Sequence, residues 1–420
     1  MLTFFTIFFT TFFFFTTCIK LFFSILTTYL QARLRAENRK SFHITRKASI
    51  LTDLNTYNVM SFNFDEFSVS AEKLEEHAFN ILDMTGMIKQ WHTPPDRLKL
   101  FIKRVRDSYL DNPYHCWAHG FMVMRMTCIL VRDCPFLELT TYELGSICIA
   151  AMCHDIAHPG KNNAFESKVN SALAIRYNDK SIYENMHAAT TFEILSDPAC
   201  DIFATLTKDK RGQLRKMMIQ SILMTDMASH FLLAKKLESK VTDAVTFSKE
   251  DPEDKQLLLD LIVHSSDIGA QALPVPIANK WSEGVLIEFQ QVHEAEKAAG
   301  VDLTPFIIGL DEPLRAANCQ FGFINFIVKP LWSNLVKVVP NSASELMENL
   351  DGNVKYWKDK VTEHTPAPEP ETETETKVVD ETKTEKEESK VDTPPLAVTD
   401  ETKDDNSSGD TLTTTTVVKE

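Results

Sequence analysis

The chain has 420 residues, 44% hydrophobic and 25% charged, with 59 acidic against 44 basic side chains and a formal net charge of −15. That hydrophobic content supports a sizeable core, and the acidic balance argues against a nucleic-acid-binding protein, which presents a basic surface. The eight cysteines (Cys18, Cys116, Cys128, Cys134, Cys148, Cys153, Cys200 and Cys319) form no CxxC pairs, so reduced thiols are expected, not a disulfide framework or a thiolate zinc site.

Residues 1–60 open with a run of Phe, Thr, Leu and Ile to about Leu30, in which Lys20 is the only charge. A bilayer crossing takes roughly 20 apolar residues, so residues 1–30 are long enough for a membrane anchor. Arg33, Arg35, Arg39, Lys40, Arg46 and Lys47 follow, and with such an anchor they would keep the remaining chain cytoplasmic. The competing reading is a gene-model artefact, because pyrimidine-rich DNA encodes these same residues ahead of a start near Met60. Residues 61–362 read as one all-α domain, with helical periodicity broken at Pro94-Pro95, Asp111-Asn112-Pro113 and Pro159-Gly160. From Gln213 to Lys236, Leu214, Met217, Met218, Ser221, Ile222 and Thr225 share one helical face. Residues 363–420 are a Thr/Glu/Lys-rich tail with little to bury, expected to be disordered.

Three segments carry metal-type residues. Tyr114-His115-Cys116-Trp117-Ala118-His119 sets two histidines at i, i+4, the spacing that aligns side chains on one helix face, with Asn112-Pro113 as the helix start. His154-Asp155-Ile156-Ala157-His158 follows the apolar run Ile147–Met152, so an imidazole and a carboxylate emerge where a buried helix ends. If the helix continues, His158 lies on the same side as His154. Ile262-Val263-His264-Ser265-Ser266-Asp267 puts an acid at the end of another apolar run, where burial is costly without a cation or a hydrogen-bond partner. Each segment alone also reads as hydrogen-bonded core or surface residues. Together they point to one shared site.

The order Tyr114-His115, His119, His154-Asp155, His158-Pro159-Gly160, Asp267 resembles the class I cyclic-nucleotide phosphodiesterases. Leu173 to Ser181, Glu184-Asn185-Met186-His187, Thr225-Asp226-Met227 with His230, and Gln320-Phe321-Gly322-Phe323-Ile324 ending in Pro330-Leu331-Trp332 extend the likeness over about Phe64 to Trp357. The resemblance implies a compact multi-helix HD-type fold that binds a zinc ion and a magnesium or manganese ion. His119, His154, Asp155 and Asp267 would be ligands of the tighter ion, with Asp155 bridging to the second. His158, His187 and Thr225 would hold water around the ions. A hydroxide activated by the two metals would attack phosphorus, His115 would be the general acid, and Glu184 would orient it. For Glu184 the alternative is a capping box, Ser181-Ile182-Tyr183-Glu184. For the base, Gln320 would pair with its edge and Phe323 and Val285 would clamp its faces, with Tyr114, Met227, Ile268 and Phe289 as pocket walls.

Some positions depart from the family pattern. Cys116 stands where asparagine is usual, Met186 replaces a histidine, and Ala270 stands where cAMP-preferring members often carry asparagine. The expected substrate is a cyclic nucleotide, cAMP ahead of cGMP. A broader metal-dependent phosphohydrolase and a catalytically dead nucleotide-binding module are the competing functions.

Overall fold

The computed structural model describes residues 58–366, so the expectations for residues 1–30 and for the tail from 367 onward lie outside the described residues. Fifteen α-helices and no β-strand occur among the described residues, as the all-α reading expects. The first eight are α1 (Ala71–Met84), α2 (Met87–Trp91), α3 (Pro95–Ser108), α4 (Trp117–Asp133), α5 (Thr141–Cys153), α6 (Asn163–Lys168), α7 (Ala172–Tyr177) and α8 (Ile182–Ser196). The rest are α9 (Lys208–Leu223), α10 (His230–Val241), α11 (Pro252–Asp267), α12 (Val275–Ala299), α13 (Pro313–Phe323), α14 (Lys329–Leu335) and α15 (Ala343–His364).

The centre is a ring of four helices, in which α4 packs on α5, α5 on α9, α9 on α11, and α11 back on α4. α4 and α5 are apolar nearly all round, the pattern of helices enclosed by others, and from Ile147 to Cys153 every side chain is buried. Each large aliphatic side chain so buried contributes roughly 1.5–3 kcal/mol. The N-terminal end of α5 is fixed by a capping box. Thr140 Oγ1 accepts from the Glu143 N–H, and the Glu143 carboxylate accepts from the Thr140 N–H at 2.8 Å.

Three local expectations change. The helix expected at Asn112 starts only at Trp117, because the Asn112 amide donates to the carbonyls of His115 and His158 and holds residues 112–116 as a turn. The 213–236 stretch is two helices. α9 ends at Leu223 with Leu214, Met217, Met218, Ser221 and Ile222 buried, and Thr225 lies beyond it in a buried turn. Asp226 caps the next turn by accepting from the Ala228 N–H, which redirects the chain into α10. The capping box at Ser181 does not form. Ser181 sits at φ 42° and its hydroxyl donates to Asp226 at 2.7 Å instead.

A buried ion pair ties the first described residues to the ring. Arg125 of α4 donates twice to Glu66 Oε1, at 2.6 and 3.0 Å, and once to the Ser61 carbonyl, with both side chains fully enclosed. Removing one member of such a pair strands the other's charge, a loss of about 3–5 kcal/mol, whereas replacing both with apolar side chains is far milder. Arg125→Met should therefore lower the thermal midpoint markedly, and Glu66→Leu/Arg125→Met should recover most of it. Equal midpoints for wild type and Arg125→Met would contradict this account of the pair.

Candidate active site

Four ring-helix ends meet at one end of the fold: the start of α4 and the ends of α5, α9 and α11. His119 comes from the first turn of α4, His154 and Asp155 from the end of α5, and Asp267 is the last residue of α11. His119 Nε2 lies 3.0 Å from Asp267 Oδ1 and 3.2 Å from Asp155 Oδ2. His154 Nε2 lies 3.1 and 3.0 Å from the same two oxygens. One ligand atom from each of the four residues falls within 4.8 Å of every other.

This donor set fits a cation. His154 Nδ1 is 2.8 Å from the Ala151 carbonyl, which can only accept, so Nδ1 carries the proton and neutral Nε2 offers a lone pair. That lone pair faces two carboxylate oxygens, and Asp155 Oδ2 has no hydrogen-bond partner in the protein. Burial favours the neutral form of both carboxyls, but the imidazoles around them outweigh it and hold Asp155 and Asp267 well below the usual carboxylate range. Burial likewise opposes charge on His154, yet Asp155 and then Asp267 drive its pKa up. The cluster demands positive charge, from a proton or from a metal ion. Imidazole and carboxylate ligands suit zinc and other divalent ions. The C-terminal dipole ends of α5 and α11 favour the same sign.

A second group of donors adjoins the first. His187 Nε2 is 3.5 Å from Asp155 Oδ1, and its Nδ1 bonds the Ile156 carbonyl at 2.6 Å. His158 does not continue the α5 helix, because Ala157 turns left-handed at φ 64°. Its ring instead stacks on His115 with centroids 3.8 Å apart, and its Nδ1 accepts from the Gly160 N–H.

His115 lies in the turn before α4, so it shares the site with His119 but not a helix face, their ring centroids being 5.8 Å apart. Its carboxylate partner is Glu288 of α12 and not Glu184, which corrects the sequence reading. Glu288 Oε2 is 2.5 Å from His115 Nδ1, while Oε1 accepts from the N–H groups of Tyr114 and His115 at 2.7 and 2.8 Å. Gly284, one turn earlier, allows this, since a Cβ there would stand 2.5 Å from the Pro113 carbonyl. Burial disfavours the charged His115 ring, but Asp155 and Glu288 outweigh it and raise its pKa. Glu184 is held by the Asn163 amide at 3.0 and 3.3 Å and is pushed up to about 7 by burial and Asp226. Sequence reasoning missed Glu288 and gave no role to Asn163, though the run His158 to Phe165 that contains it is part of the family likeness. An acid one turn beyond Gly284 and Val285 was the available signal for the first.

A cavity of about 210 Å³ opens over these groups, and His115, Asp155, His158, Glu184, Thr225 and Asp267 all line it. Thr225 spends its hydroxyl proton on the Ile222 carbonyl. Exposed Met227 lies on the cavity rim. His187, Tyr114, Ile268, Val285, Phe289, Gln320 and Phe323 are outside that lining. Tyr114 packs edge-on against Trp281, Ile268 is buried directly after Asp267, and Val285 is half-buried on α12. Phe289 stands against Phe306 in a small cluster with Val292 and Ile307. Gln320 is buried with its Oε1 unpartnered, and half-buried Phe323 ends α13 where a π-helical turn, Ile324–Val328, begins.

Comparisons with known proteins agree with this architecture. The family described as 3',5'-cyclic nucleotide phosphodiesterase matches residues 114–350. The chain is 31% identical over 326 residues to "3',5'-cyclic-AMP phosphodiesterase, isoform F" of Drosophila melanogaster, a match covering 76% of this chain and 49% of that protein. It is likewise 31% identical over 322 residues to rat "3',5'-cyclic-AMP phosphodiesterase 4C", covering 75% of this chain and 59% of the relative. The chain thus spans about half the length of these curated relatives. Among solved structures, the phosphodiesterase domain of the RhoPDE fusion protein from the choanoflagellate Salpingoeca rosetta superposes with a TM-score of 0.70 at 30% identity, covering 74% of this chain and 98% of that one. Helical architecture, the convergent His/Asp cluster and these matches agree: the chain belongs to the 3',5'-cyclic nucleotide phosphodiesterase family, whose members depend on metal ions.

Proposed function

We propose that this chain hydrolyses a 3',5'-cyclic nucleotide to the 5'-monophosphate, with cAMP preferred over cGMP. The observation that carries the reading is one cavity with two kinds of wall. One wall carries Asp155 and Asp267, the carboxylates of the cation-demanding cluster whose imidazoles His119 and His154 lie buried behind them, and the other is His115 backed by Glu288. His119, His154, Asp155 and Asp267 would hold a zinc ion, and Asp155 would also serve a magnesium or manganese ion; when bound, such ions would supply Lewis-acid charge for the phosphate and lower the pKa of water.

The protein's own groups then do the following. His158 and His187 stand beside Asp155, and with Thr225 on the cavity lining they would orient water there. As a hydroxide oxygen, its proton already lost to solvent, bonds to phosphorus, the bond from phosphorus to the 3' oxygen breaks. His115 gives that leaving oxygen its Nε2 proton, while its Nδ1–H stays on Glu288. With a metal ion held at Asp155, Glu288 would be the group that keeps His115 charged. His158 stays neutral at the stacking distance, because burial and the His115 charge both hold its pKa well below the ordinary value. Glu184, on the cavity lining, holds water through its carboxylate.

The cAMP preference rests on the cAMP-hydrolysing names of the relatives and on Gln320, whose unpartnered Oε1 can accept from the amino group of adenine. Phe323 and Val285 clamp the base, with Tyr114, Met227, Ile268 and Phe289 as the outer walls. Ala270 is buried and lacks an amide, so one hydrogen bond to the base is missing and affinity for cAMP is weak.

Full-length protein loaded with zinc and magnesium should release 5'-AMP from cAMP, stop when chelated, and show no turnover as Asp267→Ala. A submicromolar KM for cAMP, or faster turnover of cGMP, would overturn the preference stated here. His115→Ala should lower kcat on the order of a hundredfold to ten-thousandfold, the range for losing a general acid. Glu288 raises the His115 pKa and the acid must be protonated to act, so activity falls as pH rises through that pKa. Glu288→Gln should then move the alkaline limb of kcat/KM to lower pH. An unmoved limb would remove Glu288 from this role.

A further inference from the structure

Away from the metal cluster, a second pair of imidazoles is buried between α9, α10 and α11. His230 is 2% exposed and His264 is fully enclosed, with His230 Nδ1 3.0 Å from His264 Nε2. His264 Nδ1 lies 2.9 Å from the Met224 carbonyl. Proton counting fixes the direction of this chain. A carbonyl only accepts, so His264 Nδ1 carries the hydrogen; neutral His264 then has a bare Nε2, and the hydrogen between the rings belongs to His230 Nδ1. Burial lowers the pKa of both rings, His230 to about 4 with the His264 ring adding to the effect, while a backbone hydrogen bond at Ile327 acts on His230 in the opposite direction.

The chain joins two walls of the cavity. His264 stands one turn before Asp267 on α11, and Met224 is directly followed by Thr225, Asp226 and Met227, three residues that line the cavity. The turn at 224–229 is otherwise tied to itself, to Ser181 and to the end of α9: the Met224 N–H bonds the Gln220 carbonyl, Thr225 bonds the Ile222 carbonyl through both N–H and hydroxyl, the Ser229 N–H bonds the Asp226 carbonyl, and Asp226 bonds Ser181 and Ala228. We propose that His264 is a positioning residue that sets the spacing between the Asp267 wall and the Thr225–Met227 wall, and that His230 acts through it by holding His264 in the Nδ1–H tautomer. This rests on the hydrolase reading above. Neither imidazole lines the cavity, and both work through the backbone at Met224.

The test combines kinetics on the full chain with a measurement that needs no turnover. His264→Leu removes both hydrogen bonds, and kcat should fall about tenfold to a hundredfold with KM changed less than about threefold. His264→Asn keeps an N–H where Nδ1 stood and should restore most of that kcat. His230→Phe leaves Nε2 bare and should lie between them. In ¹⁵N-histidine-labelled wild type, long-range ¹H–¹⁵N spectra at neutral pH should show His264 protonated at Nδ1. A His264 protonated at Nε2, or a folded His264→Leu with wild-type kcat, would overturn the proposal. If the wild type turns over neither nucleotide, the hydrolase reading fails, and the tautomer assignment still decides the hydrogen-bond chain on its own.

Discussion

Everything at this end of the fold depends on an electrostatic conflict. Two carboxylates and two imidazole nitrogens, one of them the His154 lone pair, are crowded together at the ends of apolar helices. In low-dielectric surroundings such an arrangement repels itself unless a positive charge sits among the donors. The ring of α4, α5, α9 and α11 supplies the apolar packing that keeps the donors in place. The same packing prevents them from relaxing apart when no cation is present.

Backbone carbonyls near helix ends set the imidazoles. The last carbonyls of a helix lack partners within it, and here they are used to orient rings. Ala151 takes the Nδ1 proton of His154, Ile156 that of His187, and Met224 that of His264. Each contact leaves Nε2 as the lone pair and aims it inward. His115 differs, since its Nδ1 meets a carboxylate, and a ring in that position is built to carry charge. His158 Nδ1 instead accepts from the Gly160 N–H, and the buried Nδ1 of His119 has no partner in the protein. The acid His115 and the ligand His154 therefore differ by the partner of one nitrogen.

Much of the site was legible in the sequence because its residues end apolar runs. His154 and Asp155 after Ile147–Met152, and Asp267 after Ile262-Val263, announce a polar group leaving a core. The all-helical class followed from periodicity. What failed was local continuation. The i, i+4 spacing of His115 and His119 suggested a shared helix, yet Asn112 bonds two carbonyls and delays the helix to Trp117. His158 likewise left the α5 helix through one left-handed residue, Ala157, which has no sequence signature. The Glu288 pairing was invisible for another reason. It depends on how closely α12 approaches Pro113, a tertiary fact that only Gly284 hints at.

The central claim is that the His119, His154, Asp155 and Asp267 cluster is a cation site, and calorimetric titration of chelated protein with zinc tests it most directly. The account predicts saturable zinc binding, a higher thermal midpoint once zinc is bound, and loss of both effects in Asp267→Asn. Chelated wild type that takes up no zinc and unfolds at an unchanged temperature would contradict it.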